Sequence, residues 1–107
     1  MDYRDFGGTY YVRLDRGDEV VGSLELLCAR EGIRSATFSG IGGCSSAAIS
    51  TFVPEAGAFQ TEIFEGMLEL LSVMGNIMAD DAGEYHHHAH ASFSYKKDGT
   101  TCVVGGT

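Results

Sequence analysis

Positive charge is scarce in this 107-residue sequence: seven Lys and Arg stand against fifteen Asp and Glu, for a formal net charge of -8. Proteins that grip nucleic acid through the phosphate backbone array several cations along one face. Here Arg4, Arg13, Arg16, Arg30 and Arg34 are scattered, and only Lys96-Lys97 are adjacent, beside an Asp98-Gly99 turn that keeps them solvated. Direct DNA binding driven by charge is therefore disfavoured. Cysteine is also sparse, since Cys28, Cys44 and Cys102 make an odd count with no CxxC pair. That argues against a disulfide framework and favours a reducing compartment. No apolar run approaches the roughly eighteen residues of a membrane helix. The opening MDYRDF has neither the basic start nor the apolar stretch of a secretory signal. A soluble, cytoplasmic protein with no membrane partner is expected.

What the sequence does have is 44% hydrophobic and 21% charged residues, the make-up of one globular domain over residues 1–107. So small a chain buries a modest fraction of its surface, so self-association is a natural source of further burial.

Residues 8–14 read as a strand, rich in β-branched and aromatic side chains, and Asp15-Arg16-Gly17 ends it. Over residues 18–31 the apolar positions Val20, Val21, Leu24, Leu27 and Cys28 recur at steps of three and four. Asp18 and Glu19 near the start and Gly32 past the end complete a helix signal. Residues 33–39 read as a second strand. Gly40, Gly42 and Gly43 then predict a tight bend, since the spacing is not GxGxxG and a β-type run follows instead of a helix. Residues 44–64 predict a hairpin around Pro54. The apolar stretch 67–78 fits a buried strand better than a helix because Gly66 and Gly75 punctuate it. A turn over 80–83, a strand over 85–95, a turn at Asp98-Gly99 and a strand over 101–104 complete the chain. The sum is an α/β fold of the α+β type: a largely antiparallel sheet of about six or seven strands packed with one main helix.

All four histidines, His86, His87, His88 and His90, lie within five residues. On a strand, His86, His88 and His90 share one face at Cα spacings of roughly 6.5 to 7 Å, and His87 takes the other. Two imidazoles at that spacing can converge on a zinc-sized ion, with further ligands from water, a carboxylate or another element. Solvent-facing or packed histidines are the plainer alternative. The cysteines are far from the cluster in sequence and read as small buried hydrophobes. No catalytic Ser-His-Asp or Cys-His arrangement can be assigned.

The order of residues resembles a known family. Residues 33–42 are similar to the "GIRSGTFSGIG" stretch of plants-and-prokaryotes-conserved (PPC) domains, and residues 66–77 to their "G-x-x-E-I-L-S-L-x-G-N-I" strand. His88-Ala89-His90 matches their "H-x-H" strand, and residues 13–18 the segment opening their helix. The resemblance implies an antiparallel sheet packed on a helix, assembled as a homotrimer. It also implies zinc or another divalent metal at His88 and His90 in some members, with a third ligand from a "G-G-H" motif. Here Thr107 follows Gly105-Gly106, so His86 is the candidate third ligand. Family members continue into a closing strand, so an open sheet edge is expected after Gly106. In plants the domain accompanies AT-hook segments, and no such basic core occurs here.

Three functions follow as expectations. The first is a trimeric module holding a metal or small ligand at His88, His90 and His86, with no reaction assigned. The second is the DNA-associated regulatory role that family labels suggest. The third is a metal-dependent enzyme with Glu69 or Asp98 as proton acceptor.

Overall fold

The computed structural model describes all residues, Met1 to Thr107. Six strands form two mostly antiparallel sheets, with one helix. The order is β1 (Asp2–Asp5), β2 (Tyr10–Arg13), α1 (Val20–Glu31), β3 (Ser35–Val53), β4 (Ala58–Ala79), β5 (Tyr85–Lys97) and β6 (Thr100–Gly106). The chain divides into two compact units. Unit 1 comprises Met1–Ala36 and Ile77–His86, and unit 2 comprises Thr37–Asn76 and His87–Thr107.

Unit 1 holds the β1–β2 hairpin, in which Asp2 faces Arg13 and Asp5 faces Tyr10. Gly7 and Gly8 both take positive φ, 76° and 98°, as a two-residue hairpin turn of the right twist demands. The strand expected over residues 8–14 is shorter, and its partner β1 was not foreseen, because DYRD has no apolar alternation to reveal it. The helix starts at Val20 and not at Asp18. Asp18 is committed elsewhere: its carboxylate accepts from the Asp15 amide at 2.8 Å and pairs with the Met1 ammonium at 2.9 Å. Glu19 becomes the N-cap and accepts from the Gly22 amide. Gly32 closes the helix in the left-handed region at φ 67°, with its amide bonded to the Cys28 carbonyl. Leu27, Cys28 and Ile77 are the buried apolar side chains of this unit.

Unit 2 carries most of the sheet ordered β3-β4-β5-β6. The bend expected at residues 40–43 does not occur: β3 runs unbroken through them, and none of these glycines has positive φ. Glycine there is extended backbone, and Val73 Cγ1 lies 3.6 Å from where a Gly40 Cβ would stand, an ordinary contact distance. The expected hairpin around Pro54 is present, with Ala56 and Gly57 amides bonded to the Val53 and Pro54 carbonyls. The stretch 67–78 is strand, within a single 22-residue β4. Ala47, Ile49, Leu68, Leu70, Val73 and Phe93 form the core here. On β4 the two-residue alternation of buried side chains shifts phase between Leu70 and Val73. Asp98 and Gly99, at φ 51° and 76°, turn β5 into β6, with Lys97 opposite Thr100 and Ala91 opposite Gly106.

The two outer strands of that order meet at one corner. Ser50 and Thr107 exchange both backbone hydrogen bonds, at 2.8 and 2.9 Å. At this corner the edge that was expected to be open is paired. Elsewhere unit 2 leaves large apolar side chains in solvent: Ile41 and Met67 are 82% and 81% exposed, Met74 59% and Leu71 45%. Ile41 and Leu71 border one shallow depression with Gly42, Glu69 and Leu70.

Candidate functional site

The strand β5 carries the histidines on a backbone held close to β4. Gly75 allows that approach: a Cβ on it would stand 2.3 Å from the His88 carbonyl oxygen and 2.8 Å from Ala89. No side chain fits there without moving one strand. Beyond Ala89, the strand presents His88 and His90 two residues apart, both exposed. Their ring centroids are 5.2 Å apart and the planes are inclined at 69°. Two imidazoles bound tetrahedrally to one ion, each with nitrogen about 2.0 to 2.1 Å from it, would have centroids about 5 Å apart. The observed spacing therefore matches that of a shared ion, which the rings would reach by turning out of their edge-to-face contact. Water or another donor would complete the shell, since tetrahedral ions take four ligands.

His86 is engaged differently. Its Nε2 is 2.8 Å from Asp80 Oδ2, across the turn from β4 to β5. The hydrogen bond to Asp80 holds the His86 imidazole above its ordinary value of 6.5, against the opposing effect of desolvation. The same bond, followed by the amide of Glu84 and helped by that of Ala82, holds the Asp80 carboxyl below the usual carboxylate range. Asp80, Glu84 and His86 present ligand-type atoms that all lie within 4.8 Å of one another. This set was not foreseen, because residues 80–83 carried only turn chemistry in the sequence. An Asp opening a turn six residues before a histidine was the available signal.

Glu69 lies in the shallow depression beside Ile41 and Leu71, and Asp98 occupies the β5–β6 turn. Neither belongs to the three-ligand set. Thr107, which follows Gly105-Gly106, has its backbone bonded to Ser50. The three cysteines are free, Cys28 buried and the others half-buried. Burial pushes the Cys28 and Cys44 thiols up, away from the reactive thiolate.

The fold and the exposed histidine strand define a small α+β protein with ligand-type side chains on its surface and no enclosed cleft. The chain belongs to the Plants and Prokaryotes Conserved (PCC) domain family, whose model matches residues 1–107. It is similar to several solved structures. One, from Ralstonia eutropha JMP134, is called a "putative DNA-binding protein"; it is 32% identical with a TM-score of 0.81, and the match covers 97% of this chain and 69% of that one. A plant- and prokaryote-conserved (PPC) protein from Pyrococcus horikoshii is 31% identical with a TM-score of 0.73, over 87% of this chain and 62% of that one. A protein from Archaeoglobus fulgidus, described as metal-containing, is 32% identical with a TM-score of 0.73, over 89% and 64%. The chain thus spans about two thirds of the length of these relatives. A search of curated proteins gave no match. No helix is long and apolar enough to cross a membrane.

Proposed function

We propose that this protein is a self-associating binding module, trimeric and cytoplasmic, that holds a divalent metal ion such as zinc, or a small ligand, between His88 and His90. The observation that carries the reading is the 5.2 Å spacing of the two rings, which suits a shared tetrahedral ion. The metal-containing relative from Archaeoglobus fulgidus supports it. The imidazoles would act as neutral nitrogen ligands, and an ion held by them would offer open positions to a further ligand. Self-association draws support from the exposed apolar side chains Ile41, Met67, Leu71 and Met74, since patches of that kind on small proteins mark contact surfaces. Free thiols are consistent with a reducing compartment.

Metal content and mass, measured together on protein purified without tag or chelator, test this reading. About one zinc-class ion per chain in a trimer, lost on replacing His88 and His90 by Ala, is the expected result. A metal-free protein that takes up no added zinc at His88 and His90 removes the metal reading, and a monomer removes the assembly.

The name of the Ralstonia relative favours a second reading, association with DNA. The net charge of -8 opposes it. Retention on duplex DNA at low salt, falling steeply as salt rises, would support it, and no retention at low salt would dismiss it.

A further inference from the structure

The turn between β4 and β5 brings together a donor set of mixed chemistry. His86 supplies an imidazole, and Asp80 and Glu84 supply carboxylates, with all three ligand atoms within 4.8 Å of one another. The three residues lie in unit 1, and the set contains neither His88 nor His90.

The backbone beneath this set is tied from several sides by groups that are not themselves donors. Tyr85 donates its hydroxyl hydrogen to the Ile33 carbonyl at 2.6 Å, fixing the residue next to His86. The Ala79 amide, next to Asp80, is bonded to the Arg34 carbonyl at 2.7 Å. Arg34 Nη2 donates to the Asp80 carbonyl at 3.1 Å. The Asp80 amide bonds to the Glu84 carbonyl at 2.8 Å, so the two carboxylate residues sit at opposite ends of a closed turn. The loop after the helix thus anchors the ends of both strands that flank the donor turn. Ligands placed on a scaffold fixed in advance lose little freedom on closing round an ion.

Within the set, Asp80 Oδ1 accepts from the Ala82 and Glu84 amides, each at 2.9 Å, which leaves Oδ2 turned to His86. A proton now lies between that oxygen and Nε2. A divalent ion carries more charge than the proton, and one nitrogen with carboxylate oxygens suits zinc-class ions better than magnesium or calcium, which prefer oxygen alone. Arg34 is the one cation bonded to this turn, and it donates to a carbonyl, not to a donor carboxylate. His86 is 66% exposed and Asp80 38%, so an ion can arrive from solvent and keep water in its remaining positions.

We infer that Asp80, Glu84 and His86 form a second divalent-cation site, of the zinc class and independent of the His88–His90 pair. Binding displaces the proton shared by Asp80 and His86, which passes to solvent from the charged ring or to Nδ1 when the ring is neutral, and puts the ion in its place.

The test is a titration with zinc alone, in chelator-free buffer, of the His88→Ala/His90→Ala variant, followed by calorimetry and by the ring NMR signals of His86. The expected result is one further equivalent of zinc, with the His86 signals shifting as it fills. Asp80→Asn combined with Glu84→Gln keeps a carbonyl acceptor for the turn amides and should weaken that event by about tenfold or more, at least what loss of an outer partner costs a metal site. The His86 signals are also followed in the unaltered chain, so the outcome does not depend on the histidine variant folding. His86 signals that stay fixed in excess zinc, or an affinity unchanged by the carboxamide variant, overturn the inference. Zinc uptake at His86 with none at His88 and His90 would sustain this site while removing the one proposed above.

Discussion

In unit 1 a histidine is held by a carboxylate, whereas in unit 2 two histidines are exposed with each other's rings as neighbours. The first arrangement is complete without a ligand: Asp80 satisfies His86, and backbone amides satisfy Asp80. The second is not tied to any carboxylate. A proton already serves unit 1, and an ion must compete with it. At His88 and His90 an ion competes with an edge-to-face ring contact, worth about 1 kcal/mol for a well-packed aromatic pair and less in solvent. The tighter metal site is therefore expected where the side chains look less organised.

Replacing both His88 and His90 by Ala should give the largest effect, a loss of about a hundredfold or more in zinc affinity at the tighter site. Asp80→Asn with Glu84→Gln should leave that tighter event in place. Calorimetry on the two variants decides the order, and the reverse ranking would break the comparison. A charge in the apolar surface of unit 2, Met67→Glu with Leu71→Glu, should lower the mass in light scattering from trimer to monomer. A charge change of equal size and opposite sign on unit 1, Glu31→Lys, should leave the mass unchanged.

Gly75→Ala should cost about 1 to 3 kcal/mol by overpacking against the His88 carbonyl, read as a lower urea midpoint at unchanged slope. It should also weaken zinc binding at the pair, while His86 titrates as before. The smallest effect is the pH response of unit 1. A raised His86 contributes stability fully below 6.5, lost as pH rises through its higher folded value; the lowered Asp80 contributes above 3.8, lost as acid passes its lower folded value. The clasp is strongest between those limits. In Asp80→Asn, NMR should show His86 titrating closer to 6.5; an unchanged midpoint would mean that Asp80 is not the cause.

Much of this was legible beforehand, for local reasons. Val20 to Cys28 repeat with helical spacing, Gly32 closes the helix, Asp98-Gly99 is turn chemistry, and His88-Ala89-His90 places two rings on one face by alternation alone. Failures came where distance in sequence hid a neighbour. Three glycines in residues 40–43 looked like a bend, but they lie beside β4 in an extended strand, which only the sheet partner reveals. Asp18 promised a helix start, and the Met1 ammonium and Asp15 amide claim it instead. His86 was grouped with its strand-mates by parity, and the turn hands it to Asp80.

Met67 and Met74, both more than half exposed, give the apolar surface of unit 2 a chemical vulnerability of its own. Thioethers accept oxygen from peroxide, and each sulfoxide turns a flexible apolar side chain into a polar one. If the proposed assembly forms over this surface, oxidant should convert these two positions first in a free chain and more slowly in an assembled one. In the self-association proposed above, their oxidation state would report how long each copy has spent outside the assembly.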